Sequence, residues 1–66
     1  MDQVKYPDIT VKLIGEDGNA FAVIGKVSRA IKSKYGKEAS DAFFKEATQG
    51  DYNHLLATCM KWVNVV

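Results

Sequence analysis

Gly15-Glu16-Asp17-Gly18-Asn19-Ala20-Phe21 joins an alternating apolar run to a helical one. A glycine-rich turn between a strand and a helix can cradle a phosphate on its backbone N–H groups. The dinucleotide pattern needs three glycines at G-x-G-x-x-G, which Gly15 and Gly18 do not supply. Glu16 and Asp17 would also repel an anion. Further on, Gly25-Lys26-Val27-Ser28 holds the Gly-Lys pair of a phosphate loop. It has Val27 where Ser or Thr belongs, and Gly25 falls inside a helical pattern. Glu16, Asp17 and Asn19 lack the oxygen count and the terminal Glu of a twelve-residue calcium loop. The 15–19 segment is therefore read as a turn that opens a helix, with Asn19 as its N-cap.

The second constellation is Asp51, His54 and Cys59. With Asp51 as the cap of a helix, His54 falls at its third position, and the two side chains can meet. A general base needs a nucleophile within reach. Cys59 is five residues beyond His54, so a helix turns it away, and it lies on the apolar stripe. His54 reads as a surface or half-buried histidine, and Cys59 as a core residue. No acid–base pair emerges, and a chain this short has little room for a cleft. No catalytic, cofactor-binding or metal-binding residue is assigned, and an enzyme is not expected.

The third is a run of cations. Residues 20–37 carry Lys26, Arg29, Lys32, Lys34 and Lys37 and no acid, whereas residues 38–51 carry Glu38, Asp41, Glu46 and Asp51 against Lys45 alone. The bland reading pairs the two segments and uses the cations near the helix C-terminus to offset its dipole. The functional alternative is nucleic acid, held through backbone phosphates because no array of Asn, Gln or Arg marks a base-reading helix.

Period-two alternation of Ile9, Val11 and Leu13 against Thr10 and Lys12 predicts a half-buried strand over Asp8–Ile14, with Pro7 at its start. Ala20, Phe21, Ile24, Val27, Ile31 and Tyr35 follow at helical spacing, and Gly36 stops that helix. Gly25 within it predicts close approach of another backbone. A second helix spans about Glu38 to Thr48 and ends at Gly50. A third begins after Asp51, with Tyr52, Leu55, Leu56, Cys59, Met60 and Val63 on one stripe. The tail Trp62-Val63-Asn64-Val65-Val66 is the only other β-like segment. It is read as a strand pairing with the first, a helix end being the alternative. Failing that, the first strand must pair with a second copy. The expected fold is α+β: a small β-α-α-α-β domain, three helices packed on a minimal two-stranded sheet that is internal or intermolecular.

Sixty-six residues make one domain at most, here 1–66. The single cysteine excludes an internal disulfide, and one Cys with one His cannot build a four-ligand zinc site. Such a small core calls for tight packing or self-association. Nine basic and eight acidic residues leave a net charge of +1, so bulk charge implies no polyanionic partner. No apolar run reaches the ~20 residues of a membrane span. The first residues have no basic start or apolar core, and with the free Cys59 this predicts a cytoplasmic protein. Phe44, beside Phe43, cannot share its face; Phe44 and Trp62, if exposed, are the expected interaction surface.

Gly15-x-Asp17-Gly18-Asn19-Ala20-Phe21, with Phe44-x-x-Ala47-Thr48-x-Gly50-Asp51-Tyr52-x-His54-Leu55-Leu56, resembles short uncharacterised proteins of bacteria and phage. The resemblance covers nearly the whole chain. It implies a small cytosolic protein and supplies no activity, substrate or cofactor. The reading that follows is a non-enzymatic domain acting by association with itself, as a homodimer, or with another protein.

Overall fold

A computed structural model describes residues 4–13 and 19–66. Gly15, Glu16, Asp17 and Gly18 lie outside the described residues, and with them most of the candidate loop. The order is β1 (Tyr6–Val11), α1 (Ala20–Tyr35), α2 (Lys37–Ala47), α3 (Tyr52–Trp62) and β2 (Val63–Val65). This is the β-α-α-α-β, α+β arrangement that the sequence predicts. Among the described residues no helix is long and apolar enough to cross a membrane.

The helix boundaries follow from their caps. Asn19 Oδ1 accepts from the Phe21 N–H at 2.8 Å. Asp51 Oδ1 accepts from the His54 N–H at 2.9 Å. Each satisfies one of the donors that a helix start leaves free. Gly36 serves two helices at once. Its N–H closes α1 on Lys32 O at 3.0 Å, and its carbonyl accepts the Ser40 N–H at 3.2 Å. Its φ of 96° is a region that side chains avoid. One residue thus separates α1 from α2, which starts at Lys37 rather than Glu38.

The two strands pair in parallel, within the chain. Three helices supply the long crossover that parallel strands require. The register runs Tyr6↔Val63, Thr10↔Asn64 and Val11↔Val65, so the ladder is irregular between Tyr6 and Thr10. Asn64 serves that irregularity: its side-chain amide donates to Pro7 O at 2.6 Å. The strand begins earlier than the alternation predicts, because Tyr6 is already paired. Beyond it, Leu13 N–H still donates to Val66 O at 2.9 Å. The tail resolves as helix through Trp62, then strand.

The helices cover one side of this sheet and share one core. Ile9 and Val11 come from β1; Val23, Ile24, Val27 and Ile31 from α1; Phe43 and Ala47 from α2; Leu55, Cys59 and Trp62 from α3; Val63 from β2. Two polar side chains join them. Ser40 bonds Ser28 at 2.9 Å across the α1–α2 contact. Thr58 donates to the His54 carbonyl one turn back at 2.8 Å. Burial of both is tolerated because each polar atom has a partner.

Trp62, named for the interaction surface on condition of exposure, is buried. It is only 5% exposed. Its ring meets Phe43 edge-on at 5.7 Å and Tyr6 at 5.7 Å. Its N–H donates to Glu46 Oε2 at 2.8 Å, and the Lys5 ammonium sits 4.2 Å from its ring centre. An indole so enclosed is a core residue with a satisfied polar handle. Gly25 departs from expectation. A Cβ added there meets nothing within 4 Å, so no neighbouring backbone among the described residues requires it.

Candidate interaction surface

The residues with catalytic chemistry do not converge. The Asp51 carboxylate is engaged at the cap of α3. His54 reaches the other way, its Nε2 lying 2.9 Å from the Glu46 carbonyl. That oxygen can only accept, so Nε2 carries the proton. His54 therefore joins α3 to α2. Cys59 is fully buried, and burial pushes its thiol up to about 11. It stays protonated at neutral pH and is no nucleophile. Among the described residues no three His, Cys, Asp or Glu side chains are placed to hold a metal ion.

The five cations do not form one patch either. Lys34 pairs with Asp8 on β1 at 3.2 Å. Lys37 opens α2 and pairs with Asp41 one turn on, at 3.3 Å. Lys26, Arg29 and Lys32 remain on the outer side of α1, all exposed. The Lys37–Asp41 pair joins the basic run of the sequence to the acidic one, but it does so within α2.

What the fold does assemble is an apolar hollow. It opens where the start of α1 meets the α2–α3 turn and has a volume of about 250 Å³. Phe21 and Ile24 line it from α1, Ala47 and Thr48 from the end of α2, Tyr52 and Leu55 from α3. Phe21 stands at its mouth, 84% exposed. Tyr52 is 40% exposed, and Phe44, one turn before Thr48 on α2, is 51% exposed. The volume falls below the ~300 Å³ at which small-molecule sites begin. The hollow is a shallow apolar recess, open to solvent.

Sequence reasoning identifies Phe44 in this neighbourhood and misses Phe21. Phe21 has helical spacing to Ile24 and reads as core. The buried face of α1 is centred on Val23, Ile24, Val27 and Ile31, and Phe21 falls off its edge at ~100° per residue. On α3 the buried face is Leu55, Thr58, Cys59 and Trp62. That turns Tyr52 and the 63%-exposed Met60 outward. The lone signal for Phe21 is its place in the first turn, right after the cap, where a helix has neighbours on fewer sides.

Against protein-family models, curated proteins and solved structures, the chain matches none. The assignment of a role therefore rests on this geometry.

Proposed function

We propose that the chain is a small non-enzymatic association domain, working through the outer face of the α1–α2 hairpin and the hollow beside it. The observation that carries this reading is Phe21, 84% exposed at the mouth of an apolar hollow of about 250 Å³. A large exposed aromatic beside an apolar recess is the composition of an interface core. The internal pairing of β1 with β2 removes one motive for self-association, an unpaired strand. The aromatic surface is the motive that stays. Phosphate binding through Lys26, Arg29, Lys32, Lys34 and Lys37 is the competing reading; Lys34 and Lys37 would have to leave their exposed ion pairs to take part.

The test is a photo-crosslinking side chain at position 21, with one at the exposed Ser33 as control, in cells and in purified protein. The reading expects polypeptide adducts at position 21 and none at 33. Absence of an adduct at position 21 in both settings contradicts it.

A further inference from the structure

The helical period of 3.6 residues places Phe21, Gly25, Arg29 and Lys32 on one flank of α1, and Lys37, Asp41, Phe44 and Thr48 on one flank of α2. The Ser28–Ser40 hydrogen bond of 2.9 Å sets the inner margins of these flanks against each other. The hollow brings Phe21 together with Thr48, so the helices run antiparallel. Counting back from the serines, Gly25 stands level with Phe44, and Phe21 with Thr48. The two flanks are the walls of one outer groove.

Gly25 is the unexplained residue of that groove. Glycine weakens a helix interior, and nothing among the described residues within 4 Å occupies the space of its missing side chain. Inside the chain, alanine would serve better. The open surface at Gly25 leaves room for something that packs on α1 from outside at that point. It lies on the same flank as the exposed Phe21 and level with the exposed Phe44.

Resting on the association reading above, we propose that the occupant is a second copy of the chain, docked about a two-fold axis that runs along the α1–α2 groove. Such an axis lays α1 of each copy on α2 of the other and keeps their levels matched. Each Phe44 then enters the notch over Gly25 of the partner, and each Phe21 seats in the partner's hollow. A surface carrying both projection and recess at matching levels is self-complementary, which is what a two-fold interface requires.

Area bears on the choice of a second copy, and charge on the register of the contact. The same axis brings Arg29 opposite Asp41 of the other copy and Lys32 opposite its Lys37, so charge favours the contact at one level and opposes it at the other. At ~200 Å² per ring, the exposed parts of Phe21, Phe44 and Tyr52 amount to roughly 350 Å² per copy. That is near half of the ~800 Å² per partner of an ordinary interface, before the groove walls are counted. The dimer is accordingly a weak, concentration-dependent one.

The experiment is sedimentation of purified protein over a wide concentration range. Wild type shows a monomer–dimer equilibrium. Gly25→Leu fills the notch and abolishes the dimer while circular dichroism and the thermal melt show a folded chain. Arg29→Glu and Asp41→Arg each weaken the dimer when alone. Mixed one to one they restore it, because the heterodimer regains an opposite-charge pair at both contacts. A dimer in which Gly25→Leu changes nothing, or in which the mixture fails to recover, overturns this geometry. A wild type that stays monomeric throughout overturns the second copy. If the position-21 crosslinker then captures a different polypeptide, association itself stands; if it captures nothing, both readings fall.

Discussion

Ser28 on α1 and Ser40 on α2 face each other at 2.9 Å, and that one bond decides which flanks of the two helices form an outer groove. Rotating either helix by one residue would replace a serine with a neighbour at ~100° and leave a buried hydroxyl without a partner. The bond thus fixes the level at which Gly25, Phe44, Phe21 and Thr48 stand. The proposed contact surface depends on that level.

Gly25→Ala separates folding from association. Alanine meets nothing within 4 Å at that position and gains roughly 0.5–1 kcal/mol over glycine in a helix interior. Urea denaturation at low concentration is expected to give a more stable monomer. Sedimentation of the same variant is expected to give a weaker dimer. Effects of the same sign would remove the role assigned to this glycine.

Gly50→Ala acts in the opposite direction. Its Cβ would fall 2.8 Å from both Cβ and Cγ of His54. These atoms are close to the backbone, and the ring beyond them bonds Glu46 O, so the histidine cannot swing clear without losing that link. Overpacking of this kind costs about 1–3 kcal/mol. A double variant with His54→Ala is expected to show much less than the sum of the single losses in denaturant titrations.

The Asp8–Tyr35 contact gives stability a dependence at both ends of the pH scale. The Tyr35 hydroxyl lies 2.7 Å from each Asp8 carboxylate oxygen. That bond first, and Lys34 second, hold Asp8 below its ordinary 3.8. The same bond raises Tyr35 above its ordinary 10.0. A lowered acid stabilises the fold above its unfolded pKa and loses that contribution as pH falls through the folded value. A raised tyrosine contributes below its unfolded pKa and loses it as pH climbs through the folded value. Tyr35→Phe is expected to lower the neutral plateau slightly, because both contributions are present there, and so to flatten the stability profile below pH 3.8 and above pH 10.0. A variant profile parallel to wild type in both windows would contradict this.

The scattering of the cations bounds any affinity for nucleic acid. Lys34 and Lys37 hold exposed ion pairs within the chain, and Lys26, Arg29 and Lys32 lie on the outer side of α1. If contacts to phosphate are confined to those three, counterion release gives a slope of log affinity on log salt of about −3. Oligonucleotide titration at several salt concentrations measures it. A slope near −5 would mean that Lys34 and Lys37 leave their partners to bind.

Most of the fold is legible in the sequence because local chemistry specifies it. Asn19, Gly36 and Asp51 mark three helix boundaries through caps that need no tertiary context. The alternation over Ile9 and Val11 marks β1. The parallel pairing is not legible, since three residues of tail carry no orientation signal. The rotation of each helix is the other loss. Hydrophobic spacing assigns Phe21, Tyr52 and Met60 to the core, while Ser40 and Thr58 take core places through hydrogen bonds that only the packed helices provide. Trp62 reads as a spare aromatic until Phe43, Tyr6 and Glu46 close around it. The surface is therefore half visible beforehand. Phe44 betrays itself by standing beside Phe43, and Phe21 does not.

The most direct test of the central claim is analytical ultracentrifugation of wild type and Phe21→Ser in parallel, from about 10 μM to about 1 mM, the range suited to a small interface. The account predicts a wild type whose mean mass climbs toward twice 7.3 kDa, and a Phe21→Ser variant that stays at the monomer mass with an unchanged circular dichroism spectrum. Equal masses for the two proteins at every concentration would contradict it.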